Sequence, residues 1–338
     1  MLLEYLISLG YTNDEASCLI GTYPLCNSKE ETLCDKITEK FEFFRFIGYK
    51  DNVIIRMTLL CPSICVLSIE KILKKIDDMV LLGYKKNDVI YMCRKLPSIL
   101  TYDIEMMKEK INYFVNLGYS RECFIKMTRN LPSIYSFSIN NINHKINELK
   151  KRGYSMKSII KMTVSNPSIY SYSIDNINKK INDMIEIGYQ MKDVMEMTLK
   201  FSQIFSLSID TIKKKINDME NLGFEKNDVL SMTIQLPTLF GLTIDNVAKK
   251  KEIYDMIGIS DYLIKDAKQW MQSAELSYAR YMFFKQLGIE LGEDNYKILF
   301  MPQIRFESKY GKSNDELLNL YNYGDDSVMI REISLGVI

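Results

Sequence analysis

Residues 132–166 read PSIYSFSINNINHKINELKKRGYSMKSIIKMTVSN, and the stretch decides the fold because it returns, with changes, every 35 residues. Gly48, Gly83, Gly118, Gly153, Gly188, Gly223 and Gly258 are followed by Tyr, Tyr, Tyr, Tyr, Tyr, Phe and Ile. A second column runs 14 residues behind, Pro62, Pro97, Pro132, Pro167 and Pro237, broken only by Ser202. Self-similarity at this period marks one supersecondary unit copied end to end, the signature of a solenoid.

Within the copy, Ile139, Ile142, Ile146 and Leu149 fall at helical spacing and give one apolar stripe. The column Ser68, Asp103, Ser138, Ser173, Ser208, Thr243 supplies a side-chain oxygen for the free N–H groups at a helix start. The glycine column sits where a left-handed C-terminal cap is usual. A second, shorter helix follows, with Ile159, Met162 and Thr163 inward, and it ends before Pro167 because proline cannot continue the ladder. Residues 167–172 are too short and too aromatic for a free loop and predict a tight or 3₁₀ turn under the next repeat. The expected fold is therefore an all-α helical-repeat solenoid, a superhelix of about nine 35-residue units.

At 338 residues an ordinary chain would suggest about two domains, but a repeat array has no such limit, so one elongated domain is expected. Its parts are a degenerate N-terminal capping repeat (1–47), the regular repeats (48–258) and irregular C-terminal capping repeats (259–338). Gly10-Tyr11 and Pro24 repeat the glycine-to-proline interval, with three extra residues near Asn27-Ser28-Lys29. Gly288, Pro302 and Gly324 continue the pattern loosely at the other end, with Trp270 as core. Glu4 interrupts the only candidate signal-peptide core, and no Arg- and Ser-rich, acid-poor leader is seen, so the cytoplasm is expected, or an organelle matrix for a processed form. The seven cysteines lie in the first 123 residues without a CxxC pair, pointing to a reducing compartment rather than a disulfide framework. Hydrophobic content is 47%, enough for a continuous core, with no run near the ~20 residues of a membrane span.

The net charge of +1 is unevenly spread: −4 over residues 1–47 and −2 over 303–338 leave +7 for the middle. Acidic ends flanking a basic array suit a polyanion along the central repeats. Eight residues before each glycine stands a cation: Lys40, Lys75, Lys110, Lys145, Lys180, Lys215, Lys250 and, before Gly288, Arg280. With neighbouring helices about 8–10 Å apart, these predict a ladder for backbone phosphates. The competing account makes each lysine a helix-margin residue whose stem covers apolar surface and whose charge suits the helix C-terminal half. The drifting column Lys71, Asn141, Asn176, Thr211, Asn246 supplies candidate base contacts, since Asn can pair with adenine edges, with ordinary surface variation as the alternative. Arg56, Lys126 and Lys161 share a column on the second helix and Arg94 and Arg129 another, interrupted by Glu196 and Leu199. The column Met57, Met92, Met127, Met162, Met197, Met232 reads as core, and Tyr135, Tyr170, Phe205 and Phe240 as wedges between repeats more than as base-stacking platforms.

Catalysis finds little support: the single histidine, His144, stands on an exposed helix position, with no carboxylate pair, metal-ligand cluster or phosphate loop. A binding protein is expected, without cofactor, metal, membrane or small-molecule substrate, and monomeric.

The order Leu117-Gly118-Tyr119, a short helix ending Met127-Thr128, Leu131-Pro132-Ser133-Ile134, then a Ser138-capped helix ending Lys145-Ile146-Asn147 resembles the mitochondrial transcription termination factor (mTERF) repeat. The Ile-, Asn-, Lys- and Tyr-rich composition fits a bacterial or otherwise non-mitochondrial relative. The resemblance implies a superhelix whose groove holds double-stranded DNA or, in some members, RNA, and a role in transcription. The alternatives are an RNA binder or a protein-interaction scaffold.

Overall fold

The computed structural model describes residues 2–22, Leu25 and 29–321. Pro24, the Asn27-Ser28 part of the N-terminal insertion and Gly324 lie outside the described residues. The described chain is all-α, nineteen α-helices and eight 3₁₀ turns with no strand, and divides into two compact units, Met1–Ile174 and Asp175–Ile338.

Each regular repeat is a 3₁₀ turn, a long helix and a short helix. In the first unit these are Pro62–Val66, Ile69–Leu81 and Lys86–Lys95, then Pro97–Thr101, Ile104–Asn116 and Arg121–Asn130, then Pro132–Ser136, Ile139–Lys151 and Met156–Ser165. Leu2–Ser8, Asn13–Ile20, Glu30–Phe46 and Asp51–Leu60 precede them. The second unit repeats the pattern with Ser202–Ser206, Ile209–Asn221 and Lys226–Gln235, then Pro237–Gly241, Ile244–Ile257 and a shortened Ser260–Lys265. It then departs from it through Ala267–Met271, Ala274–Gln286, Tyr296–Phe300, Gln303–Tyr310 and Asn314–Leu320.

Local chemistry sets these boundaries. Ser68, Asp103, Ser138, Ser208 and Thr243 each accept the N–H three residues on, as an N-cap does. At the other end Tyr119 N–H donates to Phe114 O (3.1 Å) and Gly118 N–H to Val115 O (2.9 Å), the paired bonds of a Schellman cap. That cap needs a left-handed residue, and at Gly83 (φ +102°) a Cβ would also come within 2.9 Å of Ile125 Cδ1. The short helix stops where the residue before proline turns extended, as at Leu131 (φ −132°, ψ 80°). Phe201 takes the same conformation (φ −142°, ψ 77°) although Ser202 follows it. The break is thus held by packing as well as by proline: Ser202, Ile204 and Phe205 are buried there.

The core is a set of stacked columns. Ile142, Ile146 and Leu149 are buried, whereas Ile139, at the first helical position, stays 38% exposed. The methionine column is buried throughout, as are Tyr135, Tyr170, Phe205 and Phe240, which wedge between elements rather than face outward. Burying tyrosines requires partners for their hydroxyls. Thr163 Oγ1 donates to Ile159 O (2.7 Å), so it accepts from Tyr119, and the Tyr119 and Tyr170 hydroxyls meet at 2.7 Å. Tyr84, Thr128 and Tyr135 repeat this set, while Tyr189 keeps only Thr233 because Phe240 carries no hydroxyl.

Burial pushes the phenols of Tyr11, Tyr49, Tyr84, Tyr119, Tyr135, Tyr170, Tyr189 and Tyr254 upward, Tyr84 and Tyr254 to about 12. Above pH 10 the unfolded chain loses these protons while the folded chain keeps them, so stability is complete below pH 10 and falls as pH rises. The loss reaches about 1.4 kcal/mol per pH unit for each tyrosine while its folded form stays protonated. Thermal melts between pH 10 and 12 are expected to show a steadily falling midpoint; a flat profile would contradict the buried hydroxyl column.

Candidate nucleic-acid interface

Each lysine of the recurring column leaves the long helix near the margin of its apolar stripe, and from Lys75 to Lys250 the structure turns it toward the following 3₁₀ turn. Lys40, Lys110, Lys145, Lys215, Lys250 and Arg280 are buried, and Lys75 and Lys180 half-buried. The amines of Lys75, Lys110, Lys180 and Lys215 donate to the carbonyls of Tyr102, Phe137, Leu207 and Leu242, each 27 residues downstream. Lys110 also reaches Tyr135 O (3.3 Å), Lys145 reaches Tyr170 O, and Lys250 reaches Trp270 O (2.6 Å). Arg280 takes the role where the repeat is irregular, donating to Leu299 O (2.9 Å), Met301 O (2.6 Å) and Asn314 Oδ1 (2.8 Å). Lys40 is the exception, pairing with Glu39 at 2.8 Å.

These carbonyls end a 3₁₀ turn and have no partner along their own helix, so the column is a set of caps joining one repeat to the next. Desolvation lowers the amine pKa at Lys75, Lys110, Lys145, Lys180, Lys215 and Lys250, and takes the Arg280 guanidinium down to about 10. The expected phosphate ladder is therefore corrected: these amines are spent on backbone carbonyls and form no solvent-facing rail.

Burial of the column also changes the charge balance of the surface. Six of the lysines and Arg280 lie between residues 48 and 302, and these seven cations equal the whole +7 of that region. The remaining side chains there sum to zero, so a basic surface can arise only from placement. It arises on the short helices of the first unit. Lys86–Lys95, Arg121–Asn130 and Met156–Ser165, which pack against one another in sequence, carry eight cations against Asp88 and Glu122, and all eight cations are exposed. In the second unit Met191–Lys200, Lys226–Gln235 and Ser260–Lys265 each balance to zero. Arg94, Lys126 and Lys161 form no ion pair among the described residues, whereas Arg129 is held 2.8 Å from Asp88. The Lys126/Lys161 column gives way to Glu196 in the second unit, while the Arg94/Arg129 column already stops at Val164 in the first.

Lys71, Asn141, Asn176, Thr211 and Asn246 are all exposed in the first turn of long helices, not on this short-helix face. Four of them give their backbone N–H to the N-cap, and Thr211 Oγ1 also lies 2.7 Å from Ser208 Oγ.

The mTERF family's sequence model matches residues 2–117 and 112–257. The chain therefore belongs to the mTERF family, whose members generally bind nucleic acid. Comparison with curated protein sequences finds no match. Among the described residues no helix is long and apolar enough to cross a membrane.

Two outcomes test the placement of the cations. Brief acetylation of the native chain is expected to modify Lys126, Lys157 and Lys161 at least about tenfold faster than Lys110, Lys145 or Lys215, read by mass spectrometry, because a buried amine reacts only through local opening. Equal rates would return the column to the surface. Lys145→Met, which leaves the Tyr170 carbonyl without its donor, is expected to cost about 1–3 kcal/mol in denaturant unfolding, against less than about 0.5 kcal/mol for Lys157→Ala.

Proposed function

We propose that this chain is a non-enzymatic, monomeric nucleic-acid-binding protein of the cytoplasm that holds the phosphate backbone of double-stranded DNA on the short helices Lys86–Lys95, Arg121–Asn130 and Met156–Ser165. The observation that carries it is the gathering of eight exposed cations, against only Asp88 and Glu122, on three adjacent helices of a region whose side chains outside the lysine column sum to zero. A surface of that kind attracts a polyanion by releasing condensed counterions and needs no base contact to do so. Family membership supports the nucleic-acid class, and regulation of transcription is the role it favours. Exposed Asn141, on a long helix of the same unit, remains available to read a base edge.

Binding of the full chain to labelled DNA and RNA duplexes across a salt series tests the reading. DNA binding is expected to weaken steeply with salt. Replacing Lys126, Lys157 and Lys161 together by alanine is expected to reduce the slope of log K against log salt by up to about 2.7, at about 0.9 per phosphate neutralised. The matched set Lys192, Lys213 and Lys226 in the second unit is expected to change it far less. Tighter binding of the RNA duplex would reassign the ligand, and absence of binding at low salt to either would end the proposal.

A further inference from the structure

The cations of the short-helix face are not evenly spread. Tyr91, half-buried in the middle of Lys86–Lys95, has three of them around its ring: Lys95 Nζ at 4.7 Å from the centroid, Arg94 Cζ at 5.3 Å and Arg129 Cζ at 5.7 Å. Arg94 and Lys95 come from the same helix and Arg129 from the next repeat, 35 residues on from Arg94. The only carboxylate in the group is Asp88, whose Oδ1 takes the Nε of Arg129 at 2.8 Å and leaves its two terminal nitrogens free of that bond. Lys95 spends one proton on Asn130 O at 3.0 Å, and Arg94 makes no hydrogen bond or ion pair among the described residues.

Three like charges around one ring repel one another, and the attraction of each for the aromatic face, about 0.5–1 kcal/mol at an exposed site, is a modest offset. The field acts on Tyr91 itself, whose phenol is held below its usual pKa by the hydrogen bond from Lys95 and then by the charges of Lys95, Arg94 and Arg129. An anion between the cations would relieve the repulsion. Guanidinium groups that rest on an aromatic face keep their edge N–H groups in the ring-parallel plane, ready for the oxygens of a phosphate.

We propose that Arg94, Lys95 and Arg129, arranged by the Tyr91 ring, form a single phosphodiester-binding clasp that bridges two repeats and fixes the register of the nucleic acid on the short-helix face. It rests on the nucleic-acid reading above and assigns that surface its one multidentate contact. Lys126, Lys157 and Lys161 then act as separate point charges, while the three clasp cations act as a unit on one phosphate. Tyr91 is a positioning residue and touches no ligand atom.

The test is a double-mutant cycle read as duplex affinity and salt slope with the full chain. Arg94→Ala is expected to weaken binding about tenfold and to lower the slope by about 0.9. Adding Arg129→Ala should cost less than about twofold more, because the shared phosphate is already lost. In the control pair, Lys157→Ala and Lys161→Ala should multiply. Tyr91→Leu, which removes no charge, should reproduce the Arg94→Ala loss, and Tyr91→Phe should restore wild-type affinity at an unchanged melting temperature. If the Arg94→Ala and Arg129→Ala losses multiply like the control pair, or if Tyr91→Leu binds as the wild type does, the clasp is wrong while the nucleic-acid reading stands. If the unaltered chain binds neither DNA nor RNA, both fall. Should Tyr91→Leu not fold, the arginine cycle decides alone.

Discussion

The structure depends on a charged amine buried against the carbonyls of a 3₁₀ turn. Each repeat begins with that turn because the preceding helix must stop, and stopping leaves carbonyls that no residue of the same turn can reach. The lysine of the previous long helix reaches them: its four-carbon stem crosses the apolar margin and its ammonium carries three donors. A charge-assisted bond of this kind contributes about 1.5–3 kcal/mol, set against a desolvation that still leaves the amine pKa lowered. From Lys75 to Lys250 the bond joins one repeat to its successor, so no regular repeat is complete in itself. Arg280 shows what the position demands when spacing changes: its fork gathers Leu299 O, Met301 O and Asn314 Oδ1 at once, and its stacking on Phe306 (4.3 Å) replaces the covering a lysine stem would give.

The same arrangement separates net charge from surface charge. A chain segment of +7 looks basic when its residues are counted, yet seven of its cations are committed to caps. What a polyanion meets is only the remainder, and the remainder is positive where Lys86, Arg94, Lys95, Arg121, Lys126, Arg129, Lys157 and Lys161 stand on neighbouring helices. Electrostatic attraction is screened beyond a distance of about 8–10 Å, so this local sum matters more than the chain total.

Much of the fold was legible because its determinants are local. Gly118, Leu131-Pro132 and Ser138 each act within a few residues of themselves, and each does in the structure what its chemistry predicts. The lysine column was visible but its direction was not, since the contact that decides it lies 20 to 27 residues away and a helical wheel places Lys145 at a margin from which it could turn either way. One signal pointed inward: the cation recurred at eight consecutive positions while its exposed neighbours drifted, and a surface charge rarely has reason to be so regular. Ser202 illustrates the converse. The proline column fails there, yet the turn survives because Ile204 and Phe205 still fill their places.

In a tandem array, strict recurrence therefore tracks the contact between repeats, because that contact is the one thing every copy must make. A ligand imposes a different rule. Phosphates follow one another along a strand of DNA at about 3.4 Å per step along the axis, whereas packed helices advance about 8–10 Å. One cation per repeat at a fixed position is not the pattern such a partner selects. Columns that appear, cluster and then stop, as Arg94 with Arg129 do before Val164 and Lys126 with Lys161 before Glu196, are what a bounded binding surface leaves in a repeated sequence. Recurrence and interruption thus mark two different constraints, the first on the stacking of the repeats and the second on what rests against them.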